Sequence, residues 1–533
     1  MDLHFSCTWE IVSDLFADDA AIVQGERRIT YGQMDDEAAR FGAALKAAGV
    51  EPGAKVSLYL YNSPEYIIAQ YGAFKNGCVP INVNYRYLDD ELAYLVDNSD
   101  SEAVVFHTSL GDRVSAIMGK LDRVKAWISV DDDGTVIEAA TPYDEFIDVT
   151  PQARHPQNPL DHYMLYTGGT TGMPKGVIYE QHAFIAGLYE QFAAIPWPVP
   201  IPTRLDEVAA FVQLIHDTVK LVSVPCCPIM HGTGMWIGVM PALITGGTVV
   251  LLEERSFDAN ELLDTIERES VTRPVIVGDA FARPIVRALE AAETPPDLSS
   301  VNMIVSSGAM WSAEMKADMG QHFSNAVMID ALGSTEGGSY GQVQSSKDGG
   351  DSTAQFSLIP GTLVVAEDGE TVPRGSGGKG LLVSETAARG YYKDPDKTAA
   401  TFRRIDDGWY VITGDWATQE PDGSITLHGR GSNCINTGGE KVFPEEVEEA
   451  VKTHTGIDDC YVIGVDDDRF GKRVVAVASS IEDPDETELR EHLRATLAGY
   501  KIPKQFVFVD ELQRAPNGKA DYTWAREVIK AAG

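Results

Sequence analysis

The stretch LYTGGTTGMPKGV, residues 165–177, joins Gly168, Gly169 and Gly172 to Thr167, Thr170 and Thr171, with Lys175 close behind. Glycines let a backbone approach a ligand and turn its N–H groups toward it, and threonines add hydroxyl donors, so the composition suits a polyphosphate. It is not a Walker A loop. That loop needs its lysine directly after the last glycine, at the opening of a helix, and here Met173 and Pro174 intervene. The plain alternative is a Gly/Thr turn with an exposed lysine.

A loop of this kind works only if regular elements aim it. Residues 54–62 (AKVSLYLYN) carry a strand pattern, 64–77 (PEYIIAQYGAFKNG) read as a helix opened by proline and closed by glycine, and 79–84 (VPINVN) return to strand. Further apolar strands are expected at 102–107, 247–253, 273–279, 301–308 and 325–333, several separated by helical stretches such as ANELLDTIERES. Strands alternating with helices predict an α/β architecture with mainly parallel sheets, whose ligands lie beyond the carboxyl ends of the strands. The four prolines of 195–204 (IPWPVPIPTR) predict a stiff, extended connection after a helix. Residues 345–355 (SSKDGGDSTAQ) read as a mobile polar loop. From about residue 430 the chain has strands and helices enough for a small α+β domain of its own.

At 533 residues the chain is long enough for more than one core. Its net charge of −37 works against binding nucleic acid or an anionic bilayer, so any nucleotide site must gather its own positive charge locally. The six cysteines are scattered and form no C-x-x-C pair, which suits a reducing compartment. The N-terminus has no signal-peptide pattern and no apolar run is long enough to span a membrane; the expected location is the cytoplasm.

Four further motifs follow the loop: ALGSTEGG (331–338), GWYVITGD (408–415), GRGSNCINTGGEKVFPEEVE (429–448) and RAPNGKAD (514–521). With YTGGTTGMPKG, which departs from the family form by one Ser/Thr-to-Gly difference, they resemble the signature set of the adenylate-forming superfamily. That superfamily includes acyl-CoA synthetases, firefly luciferase and nonribosomal peptide adenylation domains. The resemblance implies a large N-terminal α/β domain (1–429) with a small β subdomain, a hinge (430–432) at Ser432, and a mobile α+β C-terminal domain (433–533). It implies ATP, Mg²⁺ and coenzyme A as participants and a small carboxylic acid as substrate, with no nucleic acid or integral membrane, and it allows a homodimer.

The resemblance also assigns roles. The loop from Thr167 to Lys175 would hold the β- and γ-phosphates; Glu336 matches the magnesium-coordinating glutamate; Thr335 would contact the α-phosphate or the carboxylate. Leu332, Gly333 and Ser334 on one side, and Gly308, Ala309 and Met310 on the other, would enclose adenine, although relatives often carry an aromatic residue where this chain has Leu332. Asp415 and Arg430 would hold the ribose. Lys519 would bridge the carboxylate and the α-phosphate, arriving from the second domain. Gly438 and Gly439 would line a tunnel for CoA. His231 stands at the junction of acyl pocket and tunnel, and Gly232, Gly234, Met235, Trp236, Phe281 and Trp311 would shape the pocket. Within the superfamily the segments around Phe281 and Trp311 are most similar to bacterial enzymes that act on fatty acids or steroid side-chain carboxylates. Two other readings stay open: an enzyme that loads a carrier protein, and a nucleotide-binding relative without catalysis.

Overall fold

The computed structural model describes residues 2–169, 172–193, 196–345, 354–367, 369–430, 435–437, 440–467, 471–480, 484–515 and 518–532. Its backbone is a 14-stranded mixed sheet, whose strands Val327–Ser334, Met303–Ser307, Arg273–Ile276, Val222–Pro225, Thr248–Leu251 and Ala20–Gln24 lie side by side and parallel. Beyond Val327–Ser334 the pairing turns antiparallel, through Gly338–Ser345, Gln355–Leu358 and Ile425–Arg430 to Gly408–Gln419. The expected small β subdomain is therefore hydrogen-bonded into the main sheet, joined by the hairpin at Ser334–Gly338. Periodicity reads each strand singly and does not reveal that join.

The parallel strands alternate side chains between two cores. Ile22 and Val249 face one core, whereas their neighbours Val23 and Val250 face the other. A second sheet, Val79–Asn82, Lys55–Tyr59, Ser101–His107, Ala126–Val130 and Thr141–Pro142, is parallel throughout. The helix Pro64–Lys75 is buried along its whole length between these layers, which explains its nearly continuous apolar sequence. It starts where Ser63 accepts a hydrogen bond from the amide of Tyr66, and Pro64 loses nothing in the first turn.

A third sheet is antiparallel: His162–Gly169, Gly172–Glu180 and Ala388–Tyr391. Its first two strands form a hairpin that carries the glycine/threonine loop. A fourth sheet of five strands is built wholly from residues after Ile435, with Ile457–Asp467 and Gly471–Ser480 pairing along their length and three helices packed against it.

The proline-rich connection follows the helix Gln181–Glu190, as its composition predicts, but it is not a free spacer. Trp197 donates its indole N–H to Phe192 and lies edge-on to Phe211, and Val199 and Ile201 pack on the first core. Most of the segment expected to be mobile, residues 346–353, lies outside the described residues, as do Thr170, Thr171, Ser432, Gly438 and Gly439.

Candidate active site

The hairpin sets the loop's geometry. Thr167 pairs with Lys175 and Gly169 with Gly172, so the ladder runs to the glycines at the tip. Lys175 pairs with Asp394 at 3.4 Å and its ammonium lies 5.8 Å from the centre of the Tyr391 ring. Tyr391 ends the third strand of this sheet, and its hydroxyl donates to Glu336 Oε1 at 2.7 Å. The phosphate-type loop and the STEGG turn are thus linked through one buried tyrosine.

Thr335, Glu336 and Gly337 form the turn of the hairpin between Val327–Ser334 and Gly338–Ser345, just past a bulge at Leu332/Gly333. Bulges and tight turns re-aim side chains, and this one is held from several sides. Tyr179 donates to the Thr335 carbonyl at 2.5 Å, Thr386 donates to the Glu336 carbonyl at 2.8 Å, and the Ser334 and Tyr340 hydroxyls are hydrogen-bonded. Both Thr335 and Glu336 remain half-buried. Leu332 packs at the edge of the first core.

The opposite wall comes from the end of Met303–Ser307. Ser307 donates to the Ala331 carbonyl at 2.7 Å, tying the 307–310 turn to the strand that leads to Glu336. Gly308 has φ +94, a conformation that side chains disfavour, and it is exposed. Asp415 is buried, receives strand pairing opposite Arg430, and follows Gly414 at φ +80. The side chain of Arg430 lies outside the described residues.

Lys519 reaches this place from the far end of the chain. A methyl group on Gly308 would meet the Lys519 stem at 3.9 Å. The same ammonium acts on His231: burial first, then the Lys519 charge, push the imidazole down to about 4, so it is neutral at physiological pH. His231 Nε2 is buried with no hydrogen-bond partner among the described residues. Lys519 therefore lies beside Gly308, and its charge reaches His231, so three separate motifs bear on one region.

The residues expected to shape an acyl pocket divide into two groups. Gly232, Gly234, Met235 and Trp236 lie at a π-helix, Thr233–Val239, a rare form that often marks functional sites. Trp236 donates to the Tyr163 hydroxyl at 2.8 Å and packs against Phe184 and Tyr179. Gly234 is needed for packing, because a methyl group there would strike the Pro228 carbonyl oxygen at 2.5 Å. Trp311 and Phe281 are not brought to this cluster. Both belong to the core on the other face of the large sheet, Trp311 beneath the Lys316 ammonium and Phe281 against Phe257. Their place in the pocket came from the resemblance alone, and nothing in the segments around them shows which face of the sheet each joins.

Three positioning residues escaped the sequence reading. Asn82 donates to the carbonyls of Tyr166 and Met230, both at 2.8 Å, and accepts from the Tyr166 amide at 2.6 Å, so it staples the root of the glycine/threonine hairpin to the segment before His231. Asp279 accepts from the Ser312 amide at 2.8 Å while its own amide donates to the Met310 carbonyl, bracing the 308–311 turn. Tyr391 is described above. Asn82 had a usable signal, as a polar residue at the carboxyl end of an otherwise apolar strand; the other two had none.

The chain is similar to known proteins over nearly its whole length. The family model described as AMP-binding enzyme matches residues 10–392, and that for the AMP-binding enzyme C-terminal domain matches 446–519. A medium/long-chain-fatty-acid–CoA/3-oxocholest-4-en-26-oate–CoA ligase of Mycolicibacterium smegmatis is 37% identical, covering 99% of this chain and 97% of the relative. A 3-oxocholest-4-en-26-oate–CoA ligase of Rhodococcus rhodochrous is 36% identical over 99% of this chain and 96% of the relative. Among solved structures, the anthranilate CoA ligase AuaEII in complex with anthranoyl-AMP shares the fold, with TM-score 0.83 at 21% identity, covering 100% of this chain and 98% of the other.

Proposed function

Because the chain belongs to the AMP-binding enzyme family, we propose that it is an AMP-forming acid–thiol ligase that converts a fatty acid or a steroid side-chain carboxylate to its CoA thioester. The names of its relatives support this acid class. The observation that carries the reading is the approach of Lys519, from the far end of the chain, to Gly308, with its charge felt at His231.

The chemistry has two steps. The substrate carboxylate oxygen attacks the α-phosphorus of ATP, forming the acyl–phosphate anhydride and breaking the bond to pyrophosphate. The sulfur of CoA, having lost its proton, then attacks the acyl carbon, forming the C–S bond as AMP leaves. Both reactants of the first step are anions, so positioning and charge neutralisation dominate. Lys519, a point charge on a long stem, supplies the positive charge between them. The loop from Thr167 to Lys175 holds the departing pyrophosphate, which is why it is not a Walker A loop: the bond that breaks is at the α-phosphorus. Asp415 accepts hydrogen bonds from the ribose hydroxyls, with Arg430 beside it. His231, neutral, packs beside the reacting carboxyl without adding charge.

Mg²⁺ fits Glu336. Tyr391 uses only part of one carboxylate oxygen, and a hard cation shared between one carboxylate and nucleotide phosphates needs no cage of protein ligands. Bound there, the ion would neutralise phosphate charge. Residues 1–429 form the nucleotide- and acyl-binding domain in this reading, 430–432 the hinge and 433–533 a domain that withdraws Lys519 before the thiol arrives past Gly438 and Gly439. The protein is read as cytoplasmic; no helix among the described residues is long and apolar enough to cross a membrane.

The test is mass spectrometry of the purified protein given ATP, Mg²⁺, CoA and a pool of fatty, aromatic and steroid-side-chain acids. A thioester of a fatty or steroid acid, lost in Lys519→Ala, is expected. Acyl-AMP without thioester would instead indicate a carrier-protein acceptor, and neither product from the whole pool would end the ligase reading.

A further inference from the structure

Lys519 has no regular element of its own to aim it, since it sits in a turn between the paired residues Arg514 and Ala520. What holds that turn is a chain of charged contacts leading back to the helix Asp279–Ala291. Arg514 donates to the Gly518 carbonyl at 2.9 Å and to the Asp459 carboxylate. Ile457 pairs with Ser480 and Asp459 with Ser479, while Asp458 between them is the extra residue of a bulge and has no partner in that ladder. A bulge turns the extra side chain out of the sheet. Here it points to the helix: Arg287 lies 2.5 Å and Arg283 4.0 Å from Asp458 Oδ1. Arg283 and Arg287 are one turn apart on a single helical face. The same helix is touched again at its start, where a methyl group on Gly518 would meet Val277 and Phe281 at 3.1 Å.

We propose that Asp458, clasped by Arg283 and Arg287, is the positioning residue that docks the Lys519 turn over Gly308, and that acyl-AMP formation depends on it while thioester formation from acyl-AMP does not. The inference rests on the ligase reading for its kinetic form and on the contact alone for its physical form. Arg287 is 62% exposed, and an exposed ion pair contributes little by itself. Its weight lies in selection: the pair can exist only when the bulge lies against the helix, so it favours one placement of the turn. Reversing the sign at 458 sets a cation against Arg287 and near Arg283, whose own partner Asp279 lies at 3.2 Å, and disfavours that placement more than truncation would.

The decisive variant is Asp458→Arg in the full chain, with Asp458→Arg/Arg287→Asp as the charge-restored control. Acyl-AMP formation from ATP and the acid should fall about five- to tenfold in the single variant, while thioester formation from supplied acyl-AMP stays within about twofold. The double variant should recover most of the loss. Hydrogen exchange of the amides in 279–291, measured without any substrate, should rise in the single variant and return in the double. Equal loss of both half-reactions, no loss in either, or no recovery in the double variant would overturn the proposal. Should the unaltered protein form no acyl-AMP from any acid, the ligase reading falls, and exchange alone decides the docking contact: unchanged exchange ends it and restored exchange upholds it.

Discussion

The STEGG turn and the Lys519 turn are held by opposite means. Thr335 and Glu336 are gripped by neutral donors, the hydroxyls of Tyr179, Thr386 and Tyr391, with hydrogen bonds of 2.5 to 2.8 Å. Lys519 is held at one remove, through Arg514, Asp459, Asp458 and two arginines of another segment. Hydroxyl hydrogen bonds to backbone carbonyls are short-ranged and directional, and they suit a part whose position never changes. Half-exposed ion pairs tolerate a range of distances and cost little to part, because water takes both ions back. In the proposed mechanism, the difference argues that the STEGG turn is a fixed template and the Lys519 turn a removable one.

The largest effect should come from the fixed template. Glu336→Gln keeps the shape and the contact with Tyr391 but removes the charge, and adenylation, followed by pyrophosphate release, should fall about a hundredfold. Tyr391→Phe keeps that charge and loses only the group that orients it, so its effect should be about five- to tenfold. A Tyr391 variant as damaging as the Glu336 variant would mean the hydroxyl meets the nucleotide itself.

Next comes the root of the template. Asn82→Ala leaves the buried Tyr166 amide and two carbonyls without their partner, and each orphaned group costs about 1–3 kcal/mol. A loss of about 3 kcal/mol or more in denaturant unfolding is expected, with the KM for ATP raised in what remains folded. A loss below about 1 kcal/mol would show that water replaces the asparagine.

These residues also mark where sequence reading reached its limit. The strands, the capped helix Pro64–Lys75 and the two long strands of the last sheet follow from period, caps and turn residues, which act within a few positions. The family was legible because the motifs around Glu336, Asp415 and Lys519 are dense and follow one another in order. Tyr391 and Asn82 act on groups tens of residues away, and Phe281, in a helix, and Trp311, just before one, join the core on the far face of the sheet through packing between distant segments, which local pattern does not carry.

A smaller effect tests the charged side by pH. Glu448, in the helix Pro444–Lys452, accepts from the Val462 amide at 2.8 Å and from the Tyr522 hydroxyl at 3.1 Å. Burial, reinforced by Glu445, holds its carboxyl well above the usual range. The folded state therefore keeps a proton that the unfolded chain has already released, so this group's contribution to stability falls as pH rises from the ordinary glutamate range to the raised value. Glu448→Gln keeps an acceptor and removes the titration. Its melting temperature should exceed that of the unaltered protein above pH 8, by a few degrees for about 1 kcal/mol, and lose that advantage near pH 5. An equal shift at both pH values would assign the effect to packing.

The smallest prediction separates the two regions without any substitution. Salt screens half-exposed ion pairs and leaves buried hydroxyl contacts alone; the screening length falls from about 10 Å at 0.1 M to about 3 Å at 1 M. Raising salt should therefore loosen the Lys519 turn and not the STEGG turn. With ATP and acid saturating, so that weaker binding of the anionic substrates is overcome, adenylation should slow about twofold between 0.1 and 0.6 M KCl. Thioester formation from supplied acyl-AMP at saturating CoA should change less, because in that step the lysine is no longer required. In Asp458→Arg the salt effect on adenylation should reverse sign, since screening then relieves repulsion with Arg287 where it had weakened an attraction. A salt response identical in both half-reactions and in the variant would show that it does not arise at the Asp458 contact, and the two ends of the site would then be equally fixed.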